Sequence, residues 1–272
     1  MPPVGGDQNN GSSRASLSPT YLLRISDDLY QGSNEVNNPN DVSTSFQRVE
    51  LTGSFKLKDN LVFTGALPWV TATREELGLA DSSFYGLGDA SFSFLWDPWS
   101  ENESLASLAF SFGIILPTGD PVDQPLTGLT APGVFQGGTG TFQATLGVRY
   151  SKNFEEWSAG ASFDTSFPLH ESDEDFRPAT TYRGNLFVSR SLGERFSAKL
   201  SAQITHDTKD EFAGTEIENT GSTTVFLKPA LVWRPNETFS ISASVALPIW
   251  RDVNQTQIAV GPLWSVGMSY DF

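Results

Sequence analysis

From Gln257 to Phe272 the chain alternates. Ile258, Val260, Pro262, Trp264, Val266, Met268, Tyr270 and Phe272 hold one set of positions, and Gln257, Ala259, Gly261, Leu263, Ser265, Gly267, Ser269 and Asp271 hold the other. A two-residue period belongs to a β-strand with one apolar and one polar face. Strands of soluble proteins run about 5–6 residues, whereas about 9–11 are needed to cross a bilayer at a tilt. Sixteen alternating positions therefore predict a strand with lipid on one face and a wet lumen on the other.

The same period recurs upstream. Phe239, Ile241, Val245 and Leu247 alternate with Ser240, Ser242 and Ser244, and Val225, Leu227, Leu231 and Trp233 with Thr224, Lys228 and Ala230. Phe196, Leu200 and Ile204 face away from Lys199, Ser201 and Gln203, and Tyr182, Leu186 and Val188 from Arg183, Asn185 and Ser189. Similar runs lie near 156–169, 141–151, 107–117, 84–96, 60–70, 46–57 and 20–30. Together they predict an all-β fold, an up-and-down antiparallel transmembrane β-barrel of about twelve strands, an even number as such barrels require. A soluble β-sandwich would have shorter strands, and a solenoid would show a fixed repeat that this chain lacks.

The breaks between runs carry their own pattern. Those near 58–60, 97–103, 151–156, 191–195 and 234–237 are short and polar, while those near 31–42, 72–83, 118–137, 169–179 and 207–222 are longer. Alternation of this kind fits tight periplasmic turns and long extracellular loops, with both termini periplasmic. A final outer loop is expected at 252–256. Trp96, Trp157, Tyr150 and Trp233 fall near the predicted inner rim and Trp69, Phe167 and Trp250 near the outer one, as aromatic girdles do.

Composition narrows the reading. Only 38% of residues are hydrophobic, mean hydropathy is -0.23, and no run of 18 or more apolar residues offers a transmembrane helix. A barrel hides its membrane signal because half of each strand faces the lumen. With no cysteine in the chain, disulfides and thiolate chemistry are excluded. Residues 1–17, rich in Gly, Pro, Ser and Asn, read as a disordered periplasmic tail ahead of a barrel over 18–272. The start has neither a basic nor an apolar signal region, so an exported form is expected to have lost its signal peptide, with Met1 an expression remnant.

Three stretches resemble a known family. "GLGDASFSF" (Gly86 to Phe94), "LPTGD" (Leu116 to Asp120) and "GGTGTFQATLGVRYSK" (Gly137 to Lys152) are similar to motifs of the outer-membrane transporters named for the phenol meta-cleavage (MetA) pathway. The resemblance is best over 84–152 and diffuse toward the C-terminus. It implies a bacterial outer-membrane barrel that passes small hydrophobic or aromatic compounds. The terminal Phe272, with Tyr270 and Met268 at alternate positions, resembles the signal by which the barrel-assembly machinery recognises its clients. Physically it is an apolar strand edge able to add to another sheet.

Charge places the candidate site. The formal net charge is -15, from 32 acids against 17 bases, and the acids crowd the long loops. So acidic a chain is not expected to bind nucleic acid; the expected partners are the lipid bilayer, lipopolysaccharide and small-molecule solutes. The inward positions run the other way: Arg24, Arg48, Lys56, Arg149, Arg183, Lys199 and Lys228 against Glu50, Asp89 and Asp164, with Gln203 among them. These predict a mixed, slightly basic lumen that orients polar or anionic solutes, or ion pairs that simply fill a wet interior. Reflection about the loop centres places Asp164 opposite Arg183 and Arg24 opposite Glu50.

Two further stretches bear on function. His170 and Ser172 resemble the His-x-Ser spacing of outer-membrane phospholipase A, but no well-placed Asn orients the imidazole, and the expectation is a protein without enzymatic activity, cofactor or metal. Residues 119–140 form the longest loop, with Leu126, Leu129, Val134 and Phe135 as apolar anchors. Such a loop either lies along the rim or folds into the mouth as a constriction. The sequence as a whole predicts a passive channel or transporter, with a non-conducting scaffold or a subunit of a larger surface complex as the alternative.

Overall fold

Strand after strand places Ser, Thr and charged residues on one face and large apolar residues on the other. Such a sheet is stable only when its polar face encloses water and its backbone groups all find partners. The computed structural model describes residues 14–78, 81–99, 106–119 and 138–272. Its strands, in chain order, are β1 (Ala15–Ser26), β2 (Leu29–Gly32), β3 (Asn34–Val36), β4 (Ser43–Lys58), β5 (Leu61–Glu75), β6 (Ser82–Leu87), β7 (Ala90–Trp96), β8 (Ala106–Leu116) and β9 (Gln143–Asn153). They continue as β10 (Trp157–Pro168), β11 (Phe176–Arg177), β12 (Thr181–Ser191), β13 (Phe196–Asp207), β14 (Glu211–Phe212), β15 (Thr215–Glu216), β16 (Ser222–Trp233), β17 (Phe239–Ile258) and β18 (Leu263–Asp271).

The wall is a closed antiparallel barrel of twelve strands, with β6 and β7 the two halves of one broken strand. Each strand pairs with its successor from β4 through β18, apart from the short loop strands, and β1 pairs with both β4 and β18. No sheet edge is left to the lipid. Where the ends meet, Arg14 N donates to Phe272 O (3.1 Å) and Phe272 N to Ala15 O (2.8 Å). Both lie at the rim of short turns.

The faces separate as the alternation requires. In β4, Thr44, Glu50 and Thr52 are buried, while Val49, Leu51 and Phe55 are exposed on the outside. In β18 the outward residues are Trp264, Val266, Met268, Tyr270 and Phe272. An aromatic patch covers the exterior of β5, β7 and β8, with Phe63 5.2 Å from Phe94 and Phe94 5.5 Å from Phe112 between ring centres.

Four boundaries differ from the sequence reading. The terminal alternation spans two strands: Ile258 ends β17 and β18 begins only at Leu263. Gly261 and Pro262 make the break, for Pro262 has no N–H to give a ladder and a Cβ on Gly261 would lie 1.8 Å from Ile25 O. The outer loop expected at 252–256 is instead strand, because β17 runs 20 residues and its far end pairs with β2 across a bulge between Val253 and Thr256. The expected tail is shorter, since Ala15, Ser16 and Leu17 already pair with Phe55, Ser54 and Gly53; residues 1–13 lie outside the described residues. The strand expected over 84–96 breaks at Gly88 and Asp89, opposite Pro68 of β5, whose carbonyl takes the Gly88 N–H at 2.9 Å.

Long loops carry structure of their own. β2 and β3 form a hairpin against β17, and β11, β14 and β15 form a small separate sheet around buried Phe176.

Candidate functional site

The lumen is built from the inward half of every strand. Toward the short turns, hydroxyls pair across the ladder, Ser18 with Ser269 (2.9 Å), Ser54 with Thr64 (3.1 Å) and Ser158 with Ser189 (2.6 Å), and farther along the wall Ser244 pairs with Ser265 (2.6 Å). Small hydroxyl residues leave space, and each satisfies its neighbour, so the wall is polar without being crowded.

The charged groups fall into distinct settings. On β1 and β4, Arg24 lies opposite Phe46, with its guanidinium carbon 5.0 Å from the ring centre. Arg48 and Glu50, two apart on one face of β4, form an ion pair, and Glu50 is only 2% exposed. Glu50 stands opposite Thr20, so the expected pairing of Arg24 with Glu50 is wrong. Their hairpin reflects about residue 35 rather than 37, because the connection contains the β2–β3 hairpin. Lys56 sits at the turn end of β4 and pairs with Asp59 at 3.0 Å.

Across the barrel, Asp164 and Arg183 are direct partners on β10 and β12, and Arg183 Nη1 donates to Asp164 Oδ1 at 2.6 Å. Arg149 on β9 faces Ser162. Lys199 Nζ rests 4.3 Å from the centre of the Phe187 ring, which lies flat over Gly160: a Cβ there would approach the ring to 2.6 Å. Lys228 Nζ donates to Gln203 Oε1 (3.1 Å), and Gln203 Nε2 donates to Thr205 Oγ1 (3.0 Å). Both residues are nearly fully buried, Lys228 at 8% and Gln203 at 4% exposed.

Asp89 does something else. Its carboxylate accepts hydrogen bonds from Gly119 N (3.0 Å), Thr139 N (2.8 Å) and Thr139 Oγ1 (3.0 Å). Thr118 Oγ1 accepts from Ala90 N (2.8 Å) and donates to Gly88 O (3.0 Å). The Gly-Leu-Gly-Asp, Leu-Pro-Thr-Gly and Gly-Thr-Gly stretches thus meet at one knot, and Asp89 ties both ends of the longest loop to the wall. A Cβ on Gly138 would lie 2.4 Å from Gly119 O, so the crossing needs glycine. The loop's apolar anchors Leu126, Leu129, Val134 and Phe135 lie outside the described residues.

His170 and Ser172 do not bond to each other. Phe142 N donates to His170 Nε2 (3.3 Å), which leaves Nδ1 to donate to Glu171 O (2.5 Å). Ser172 Oγ accepts from Glu174 N (3.3 Å) and Phe176 N (3.2 Å), a turn contact. Among the described residues no group of three or more His, Asp or Glu could hold a metal ion.

Sequence reasoning missed the inward aromatics Phe46, Phe187 and Phe226, which interrupt the polar face. Strand parity was a signal for all three, and Gly160 opposite Phe187 a second one.

A closed twelve-stranded barrel with a polar interior and an apolar exterior defines an outer-membrane β-barrel protein, set in lipid and lipopolysaccharide. The chain belongs to the family described as "Putative MetA-pathway of phenol degradation", which matches residues 30–261. No curated protein matches it in sequence. Among solved structures, an outer-membrane channel from Pseudomonas putida F1 aligns with a TM-score of 0.76 at 14% identity, covering 99% of both chains. The transport unit of the autotransporter AIDA-I from Escherichia coli aligns at 0.57 and 12%, covering 99% of this chain and 93% of that one. A Pseudomonas aeruginosa FadL homologue aligns at 0.51 and 11%, covering 96% and 91%. These likenesses are of fold.

Proposed function

We infer that this protein is a passive outer-membrane channel for small molecules, hydrophobic and aromatic solutes among them, and not an enzyme. The observation that carries this reading is the lumen wall itself. Paired hydroxyls line its turn end and charged side chains its middle, a polar inner face of the kind that lines a solute path. The family's description supports aromatic solutes, and the P. putida relative is described as a channel. The short-turn rim, carrying both chain ends, faces the periplasm in this reading. The outward row from Trp264 to Phe272 supports recognition by the barrel-assembly machinery.

The alternative is a non-conducting scaffold or subunit of a surface complex. The ordered outer structure favours it, since β2–β3 and the β11–β14–β15 sheet lie at the long-loop rim. Purified protein in planar lipid bilayers decides between them. Discrete conductance steps are expected, and folded protein that inserts without any conductance would sink the channel reading.

A further inference from the structure

The wall formed by β9, β10, β12, β13 and β16 has an uneven charge. Four inward cations, Arg149, Arg183, Lys199 and Lys228, share it with two inward carboxylates, Asp164 in mid-strand and Asp207 at the far end of β13, where Thr181 Oγ1 donates to it at 2.6 Å. Asp164 is already engaged by Arg183.

Lys228 is the informative residue. It is nearly fully buried, yet among the described residues its hydrogen bond runs to a neutral amide, Gln203, and no carboxylate lies within ion-pair distance. An ammonium has three N–H donors, so donors remain. Ser201, its direct partner on β13, and Asn185, the partner of Gln203 on β12, add a hydroxyl and an amide. The Arg183 Nε is buried and has no acceptor. Phe187 holds the Lys199 ammonium against the same wall. A lysine kept only for packing would sit beside an acid, because like charges close together in a low-dielectric wall are unfavourable.

We propose that this wall is a binding site for a small carboxylate anion, held chiefly by Lys228 and Arg183 with Asn185 and Ser201 beside them. The proposal rests on the channel reading and names the solute class that the channel favours. A carboxylate offers two oxygens to the remaining N–H donors and offsets the mutual repulsion of the cations. Neutral aromatic compounds gain neither. The acidic loops stand at the rim, where salt screens them over about 8 Å at physiological ionic strength, so the cations inside set the preference.

The experiment uses the full chain in planar bilayers, with benzoate, acetate and benzyl alcohol as probes. The reversal potential across a KCl gradient should report anion preference. Benzoate and acetate should reduce the chloride current in a saturable way, and benzyl alcohol should not. Lys228→Gln should weaken the carboxylate effect about tenfold, the value of one charged hydrogen bond, and Lys228→Arg should largely restore it. Heat-modifiable gel mobility confirms that both variants fold. Cation preference in the parent, or carboxylate block unchanged in Lys228→Gln, would overturn the site while leaving the channel reading in place. If the protein does not conduct, saturation-transfer NMR of benzoate on the detergent-solubilised parent and Lys228→Gln decides. Binding lost in the variant keeps the site and sinks only the channel, and no binding to the parent overturns the site.

Discussion

A single arginine distinguishes the two faces of a strand. Val266 points outward from β18 and is 48% exposed, while its neighbour Ser265 points inward and bonds to Ser244. Val266→Arg places a charge in lipid and should cost roughly 2–4 kcal/mol near the midplane. Ser265→Arg forfeits a hydroxyl pair worth about 1 kcal/mol but keeps its charge in the lumen. Urea unfolding from liposomes should separate the two, and equal losses would contradict the assigned faces. At this scale much of the candidate site was legible. Asp164 and Arg183 are symmetric about a loop whose flanking strands have no bulge, so reflection alone pairs them. Arg24 and Glu50 failed because a hairpin inside the connection moved the centre of reflection. The bond from Lys228 to Gln203 was not legible, since it is a diagonal contact that depends on rotamers rather than on register.

Elements borrow stability from partners distant in sequence, and this is where strand prediction ended. Residues 252–256 have the polarity of a loop, yet β2 supplies a ladder that makes them strand. The small sheet of β11, β14 and β15 was equally invisible, because two-residue strands have no period. Its support includes Asp210, whose carboxylate accepts Ala179 N at 2.7 Å while Asp210 N donates to Thr220 Oγ1 at 2.9 Å. Burial pushes the Asp210 carboxyl above its usual value, the Ala179 N–H opposes this, and the charge of Asp207 adds to it. A carboxyl raised in the folded state contributes stability that is present below its unfolded pKa and lost as pH rises through the folded one. Hydrogen exchange in residues 208–221 should therefore quicken from acid toward neutral pH beyond the intrinsic rate. In Asp210→Asn, which keeps an acceptor for Ala179, that excess should shrink, leaving only the part due to Asp207, which burial also raises. A parent and variant with the same slope would refute the assignment.

For the whole molecule, the lipid-facing row of β18 is wall, and in the proposed reading it is also address. Deleting Phe272 removes the last outward ring, which packs edge-on against Tyr270 at 4.9 Å. The amount of barrel in the outer membrane should fall while refolding into detergent stays intact; an unchanged cellular level would count against the terminal signal. The barrel's overall form was legible because every wall strand repeats one pattern, whereas its rim was not. Closure itself has a kinetic consequence. Most wall strands pair with a neighbour across a turn of a few residues, but the seam joins Ser18 to Ser269, 251 positions apart. Chain-closure entropy makes such distant contacts late and slow, so the β1–β18 zipper should set the refolding rate. A circular permutant that links Phe272 to Arg14 and opens the 192–195 turn turns the old seam into a local hairpin and makes β12–β13 the distant one. Tryptophan fluorescence during refolding should then show the slow phase moving from β1–β18 to β12–β13, because timing follows the path of the chain while the finished cylinder stays the same.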